Sequence, residues 1–299
     1  MNYKNITVAG SGVLGYQIAF QSAFHGFHVT VYDINDEVLA KAKTKFTAMS
    51  EAFKQDLNAT QEQLDKTYKQ LSYSSDLAEA VKNADLLIEA VPENPQIKID
   101  FYHKLTKVAP EKTIFVTNSS TLLPSQFADV TGRPSKFLAL HFANTIWIHN
   151  TAEIMGHPTT DPKVFEDVVS FAKAIGMLAL PLYKEQAGYI LNSLLVPLLS
   201  AATNLLVNEV ADVETIDKTW MKATGAPLGP FGILDVVGIT TAYNINKMAA
   251  DKTKDPLKIK AVKYLKDNYL DKNKLGVSTR EGFYKYPAPT YEKPDFLKE

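Results

Sequence analysis

The sequence predicts a doubly wound α/β domain followed by an all-α domain. Three observations carry this reading. The chain opens with an apolar strand that runs into Gly10-Ser11-Gly12-Val13-Leu14-Gly15, an amphipathic helix, a second strand and Asp33. Continuous apolar runs then alternate with helical periodicities, the pattern of parallel strands covered on both faces. From about Lys184 strand signals stop and only long helical periodicities remain. The expected division is residues 1–184 and 185–299.

Ile6-Thr7-Val8-Ala9 is the first strand, and the G-x-G-x-x-G turn follows it directly. Gly10 permits the tight turn, Gly12 lets a pyrophosphate approach the backbone, and Gly15 lets helix and strand pack closely. The phosphates of a dinucleotide then rest on the helix N-terminus, where free N–H groups and the dipole favour anions. Gly10, Gly12, Val13, Leu14 and Gly15 therefore form the expected cofactor turn of a Rossmann-type domain. Asp33 ends the second strand, His28-Val29-Thr30-Val31-Tyr32. A carboxylate there accepts hydrogen bonds from ribose hydroxyls and repels the extra phosphate of NADP. The next residues, Ile34, Asn35 and Asp36, are not basic, so NAD is the expected cofactor.

Asp36 to about Tyr68 reads as a helical pair, with Asn58-Ala59-Thr60 capping the second helix. A short strand near Leu71-Ser72-Tyr73 and a helix bearing Leu77, Ala80 and Val81 come next. The run Asp85 to Val91 is a parallel strand, Pro95 to Val108 a helix, and Thr113 to Thr117 another strand. Lys136 to Leu140 is a strand ending at His141, and Thr151 to Met155 a short alternating one. Asp161 to Gly176 is a helix and Met177 to Leu182 the last strand.

The formal net charge is −1, which offers no field to recruit nucleic acid or anionic membrane. There is no cysteine, which excludes disulfides, a nucleophilic thiol and cysteine-ligated metal. No metal site is expected. The N-terminal residues enter a strand with no signal-peptide profile, and the expected location is the cytoplasm. Gly188 to Val207 is long and apolar but holds Asn192, Ser193, Ser200, Thr203 and Asn204, which are costly in lipid. It reads as a buried or interfacial helix, and Pro197 is expected to kink it or mark a break.

In open parallel sheets ligands bind at the carboxyl ends of the strands. Glu93, Asn118, Ser119, Ser120 and His141 each follow an apolar strand. An alcohol oxidation linked to a nicotinamide needs a base for the hydroxyl proton, and histidine suits that near neutral pH. Of six histidines only His141 ends an apolar strand directly; His149 and His157 stand in reserve. Position alone leaves His141 open between a structural and a catalytic role. Glu153 is equally open between orienting a histidine and sitting as a solvated charge on an edge strand. Ser120 is open between a turn residue and a site residue, and Asn192 between a core amide and a substrate contact.

The motifs together resemble the L-3-hydroxyacyl-CoA dehydrogenase family, over almost the whole chain. They are Gly10 to Gly15; Glu89-Ala90-Val91-Pro92-Glu93-Asn94; Asn118-Ser119-Ser120-Thr121-Leu122; His141-Phe142-Ala143-Asn144; Glu153; Gly188-Tyr189-Ile190-Leu191-Asn192; Gly229-Pro230-Phe231; and Gly282-Phe283-Tyr284. Phe142 to Asn144 and Ala187 to Ser193 look most like the diketoreductase subgroup, which reduces β-diketo esters. Lambda-crystallin and L-gulonate 3-dehydrogenase are further relatives. The resemblance implies His141 as catalytic acid/base with Glu153 as its partner. Ser120 would bond the reacting oxygen and Asn192 would position substrate. Asp33, Glu93, Lys98, Ser120 and Asn144 would contact NAD, and the helical domain would form a homodimer.

The departures are specific. Asn144 is followed by Thr145 where the family has Pro; Tyr189 replaces the usual Phe, and Ser193 the usual Arg. The positions that offer Ser and Lys to CoA in CoA-using members fall on Met49 and Asp56. Asp56 would repel CoA phosphates, while Lys54, one turn away, offers a replacement charge. These changes bear on the CoA moiety and not on 3-keto/3-hydroxy chemistry. The expected function is reversible NAD(H)-dependent hydride transfer between a 3-hydroxy and a 3-keto group. The alternatives are a diketoreductase or other dehydrogenase of non-CoA substrates, and a non-catalytic NAD-binding sensor or structural protein.

Overall fold

A computed structural model describes residues 3–298. The chain divides into two compact units, the first running through Ile190 and the second beginning at Leu191. The first unit contains one eight-stranded sheet, in the order β3-β2-β1-β4-β5-β6-β7-β8. Its strands are β1 (Asn5–Ala9), β2 (His28–Tyr32), β3 (Leu71–Ser74), β4 (Leu86–Glu89), β5 (Ile114–Thr117), β6 (Phe137–Phe142), β7 (Thr151–Met155) and β8 (Leu178–Leu182). Helices α1 (Val13–Phe24), α2 (Asp36–Leu57), α3 (Gln61–Lys69), α4 (Leu77–Val81), α5 (Pro95–Val108) and α6 (Pro162–Ala174) connect them. The first six strands are parallel in the doubly wound order, with the strand order reversing at β1 and β4.

Local chemistry explains most element ends. Asn35 caps α2 by accepting from the Val38 N–H at 2.9 Å. Thr60 and Gln63 form a reciprocal capping box at α3. Asn94 caps α5, with Pro95 in the first turn. Every residue of β4, β5 and β6 is buried, as expected for strands covered on both faces. One face packs on Phe20, Phe46 and Phe53; the other, through Phe115 and Phe137, packs on Phe101, Tyr102 and Leu105.

Two details differ from the sequence reading. His141 lies inside β6, one residue before its end. The Thr151–Met155 strand is not an edge: it lies between β6 and β8, antiparallel to the former and parallel to the latter. The reason is the link. Residues 143–150 are too few for the dozen or more that a parallel crossover needs, so β7 returns antiparallel. Its interior place buries Glu153 to 3% exposure, which removes the solvated-edge reading. The true edge is β8, where Pro181 is tolerated because an edge strand can spare a ladder donor.

The second unit is helical: α7 (Tyr189–Val207), whose first two residues belong to the first unit, then α8 (Val213–Thr224), α9 (Pro230–Val237), α10 (Ile239–Thr253) and α11 (Pro256–Asn268). α7 is one helix across Pro197, with no break there. It is apolar and long enough to cross a membrane by length and composition, and 22% of its most apolar window is buried. Two buried carboxylates organise the rest. Asp217 accepts from the Phe231 and Gly232 N–H groups at 2.9 and 3.0 Å and from the Tyr284 hydroxyl at 2.9 Å. Asp235 accepts from the Phe283 and Tyr284 N–H groups, each at 2.8 Å, and from the Tyr286 hydroxyl at 3.1 Å. Burial raises the pKa of both above the ordinary aspartate value, against these hydrogen bonds. The arrangement accounts for two motif glycines. A Cβ on Gly229 would lie 2.2 Å from the Asp217 Cγ, and one on Gly282 would lie 2.0 Å from the Asp235 Oδ1.

Candidate active site

The glycine turn sits at the carboxyl end of β1. Gly10 has φ +97°, and a Cβ there would lie 2.5 Å from the Ala90 carbonyl oxygen. A Cβ on Gly15 would fall 1.8 Å from the Gly10 oxygen, so α1 can approach β1 only with glycine there. Gly12 is different: a Cβ would meet nothing within 4 Å, so its surface is open. Gly12 caps α1 without a side-chain bond, leaving the first N–H groups available to an anion. Val13 is 62% exposed beside it, and Leu14 is half-buried. Asp33 braces the turn, with Oδ2 accepting from the Ser11 N–H at 2.7 Å and the Ser11 hydroxyl at 2.6 Å. Of the two arginines, Arg133 is bonded to the Pro110 and Thr113 carbonyls and Arg280 lies in the second unit. An open glycine cradle, an uncapped helix start and an acid at the tip of β2 fit NAD.

A second cluster stands at the ends of β4 and β5. Glu89, the last residue of β4, is fully buried. Its Oε1 accepts from the Lys98 ammonium at 2.7 Å and the Val91 N–H at 2.9 Å. Its Oε2 accepts from the Tyr102 hydroxyl at 3.0 Å and the Thr117 hydroxyl at 2.8 Å. Lys98 is only 1% exposed and also lies 3.4 Å from the Glu93 Oε2. The Glu93 Oε1 accepts from the Ser119 hydroxyl at 2.6 Å and from the Ser120 and Thr121 N–H groups at 3.0 and 2.9 Å. Burial opposes its charge, but the Ser119 hydroxyl, the Lys98 ammonium and Thr121 together hold Glu93 below the usual glutamate pKa. The loop carrying Ser120 is thus pinned by its backbone to one ionised carboxylate.

The third group centres on β6 and β7. The sheet register sets His141 directly opposite Glu153. His141 Nδ1 lies 3.1 Å from Glu153 Oε2, and both residues are buried. The Ile190 N–H donates to the other carboxylate oxygen at 2.8 Å. The Tyr189 ring stacks on the imidazole, with centroids 4.5 Å apart and planes at 16°. Just beyond β6, the Asn144 Oδ1 accepts from the Gln17 amide at 2.7 Å, which ties this loop to α1. Thr145 follows with φ +60°, a value proline cannot adopt. Asn192 is half-buried in the first turn of α7, within the second unit.

The reserve histidines are accounted for otherwise. His157 Nε2 lies 3.0 Å from the Pro134 carbonyl oxygen and its Nδ1 3.2 Å from the Thr159 hydroxyl, while His149 is exposed in the loop. Glu89, Tyr102, Thr117, Gln17 and Tyr189 are site-region residues to which the sequence reading assigned no role. For Glu89 the one signal was an acid closing the otherwise apolar run Leu86-Leu87-Ile88.

The profile of "3-hydroxyacyl-CoA dehydrogenase, NAD binding domain" matches residues 5–186, and that of the "3-hydroxyacyl-CoA dehydrogenase, C-terminal domain" matches residues 188–286. The chain belongs to the 3-hydroxyacyl-CoA dehydrogenase family. It is an NAD-binding oxidoreductase, as the family resemblance in its motifs implied. The enzyme is 35% identical to mitochondrial hydroxyacyl-coenzyme A dehydrogenase of Homo sapiens over 289 residues, covering 95% of this chain and 91% of that protein. It is 29% identical to a probable 3-hydroxybutyryl-CoA dehydrogenase of Bacillus subtilis (strain 168), covering 97% and 100%. It is 56% identical to a diketoreductase of solved structure, described for dual catalysis of dicarbonyl compounds. That match has a TM-score of 0.91 and covers 96% of this chain and 100% of that one.

Met49, Asp56 and Lys54, the positions that the family resemblance sets against CoA, are otherwise engaged in this enzyme. Met49 is buried in the core of the first unit. The Asp56 Oδ2 accepts from the Trp147 Nε1–H at 2.8 Å. Lys54 is 2.9 Å from Glu51.

Proposed function

We propose that this enzyme interconverts 3-hydroxy and 3-keto groups on small free substrates, such as diketo esters or keto acids, with His141 as the acid/base. The observation that carries the chemistry is the buried His141–Glu153 contact of 3.1 Å. Bound NAD(H) supplies or accepts the hydride. Glu153 on Nδ1 keeps a proton there, so Nε2 is the atom that gives a proton to the carbonyl oxygen or takes one from the hydroxyl. The carboxylate also stabilises the imidazolium that forms when Nε2 is protonated. Ser120 orients the reacting oxygen and polarises it, an oxyanion-type stabilisation, and Asn192 keeps the substrate-positioning role that the family resemblance implies. Asp33, Glu93, Lys98 and Asn144 serve the cofactor, Glu93 chiefly by fixing the loop that carries Ser120.

The substrate class rests on Asp56, whose carboxylate is held by Trp147 at a position where the family resemblance implies a lysine for CoA, and on the 56% identity to a diketoreductase. A free 3-keto ester is expected to be turned over with NADH at a kcat/KM at least about tenfold above that of acetoacetyl-CoA, the effect of roughly one lost phosphate contact. The reverse ranking would point instead to acyl-CoA substrates, in line with the names of the hydroxyacyl-coenzyme A dehydrogenase relatives. No NADH oxidation across a broad carbonyl panel would return the non-catalytic one.

The proposal includes a homodimer and the cytoplasmic location expected from the cysteine-free composition. Within the second unit Leu194 is 70% exposed, Val210 66% and Met248 74%. Leu198, Leu205 and Trp220 help line an apolar groove of about 390 Å³. A second copy covering this surface is the ordinary remedy. Sedimentation is expected to give twice the chain mass, and a monomer at micromolar concentration would refute it.

A further inference from the structure

We propose that Tyr189 is a positioning residue for the acid/base pair: its ring holds the His141 imidazole while the next amide holds Glu153. The inference rests on the reading of His141 as the acid/base. A hydrogen bond at Nδ1 fixes the distance between imidazole and carboxylate, but it leaves the ring able to rotate about the Nδ1···Oε2 line. Such a rotation carries Nε2 off the line to the substrate oxygen. The Tyr189 ring, at 4.5 Å and 16°, closes that freedom from one face. The partner is restrained from the same short stretch of backbone. Glu153 uses one oxygen for His141 and receives the Ile190 N–H on the other at 2.8 Å. Two consecutive residues at the start of α7 therefore hold both members of the pair.

The backbone carries a matching signature. Gly188 has φ +80° and Tyr189 φ +54°. A bulky aromatic residue rarely adopts the left-handed region, and such strain persists where surrounding contacts over-determine it. Here those contacts are the stack and the packing of Tyr189, 1% exposed, on Ala139 and Met155. The charges that act on the Tyr189 phenol are the carboxylates of Glu93, Glu153 of β7 and Glu89 of β4, the first and last of them paired with the Lys98 ammonium, and the phenol in turn acts on Tyr102 of α5. Burial and these three carboxylates push the phenol far above its ordinary pKa, so it stays neutral and offers a π-face and no charge. Tyr189 is thus built to orient the proton-carrying ring and not to carry the proton.

The test uses the full-length protein, isotope-labelled on its six histidines. In the cofactor-free wild type, the His141 ring protons are expected upfield of exposed histidines, because they lie over an aromatic face. Their assignment comes from the signal missing in His141→Ala. Tyr189→Phe should keep the upfield shift, kcat within about twofold and the pH profile. Tyr189→Leu should lose the shift, lower kcat by ~10-fold or more with the NADH KM little changed, and displace the pH profile, as expected when a reacting group is misplaced. A Tyr189→Leu protein with wild-type kcat and pH profile overturns the inference, as does a wild-type spectrum with no upfield His141 signal. That second measurement decides the matter even where the Leu variant does not fold. An active His141→Ala protein would instead remove the underlying reading.

Discussion

Replacing His141 by Ala is expected to lower kcat by about 10²–10⁴-fold, the range of a positioned general acid or base, while NADH binding stays nearly unchanged. The separation follows from the geometry. His141 is buried in β6 and bonded to Glu153, whereas the glycine turn and Asp33 lie at the ends of β1 and β2 and share no hydrogen bond with it. NADH fluorescence titration reports binding and steady-state reduction reports turnover. Near-native turnover would remove His141 from the chemistry. Equal losses in binding and turnover would mean the substitution had disturbed the fold.

The second large effect is on stability. Replacing Glu89 by Ala would strand the Lys98 ammonium, 1% exposed, without its 2.7 Å partner, and would leave the Tyr102 and Thr117 hydroxyls without their acceptor. Breaking a buried ion pair from one side costs about 3–5 kcal/mol. Glu93, 3.4 Å from Lys98, is too far to satisfy it fully. The expected outcome is a much lower urea midpoint for the first unit, read by its own fluorescence transition. Removing both charges at once, as Glu89→Leu with Lys98→Met, should recover most of the loss, because an apolar pair of similar volume avoids the orphaned charge. A double variant as unstable as the single one would mean that the ion pair is not the source of the effect.

These two sites differ in how well the sequence displays them. The glycine turn, the Asp33 position and the helix caps are local: turn, cap and strand alternation occupy neighbouring residues, so their chemistry can be read along the chain. His141 was legible as a candidate because an apolar run precedes it. Glu153 was legible as a candidate but not as a buried one, because its burial depends on which way β7 pairs, and that is decided by the length of a loop and by β8, more than twenty residues later. Glu89 was quoted only as part of a motif, and Lys98 only as an NAD contact that the family resemblance implies. An acid at the end of an apolar run looks the same whether it faces water, as the partly exposed Asp85 does at the other end, or a buried lysine. Lys98 stands in a helix with an ordinary amphipathic period, and only tertiary packing puts its ammonium inside. Tyr189 reads as one more apolar residue at the head of an apolar helix; its contact with His141 spans 48 positions of the chain (189 minus 141).

The bonds that Asp217 and Asp235 make with Phe283, Tyr284 and Tyr286 set an order on synthesis. Each carboxylate emerges from the ribosome 48 to 67 residues ahead of donors that complete its shell. Until Tyr286 has cleared the exit tunnel the shell of Asp235 stays incomplete, whereas the strands before Ile190 have all been made. A stop codon a few residues upstream of Gly282 would therefore strip Asp235 of the Phe283, Tyr284 and Tyr286 donors and Asp217 of the Tyr284 hydroxyl, and not merely shorten the tail.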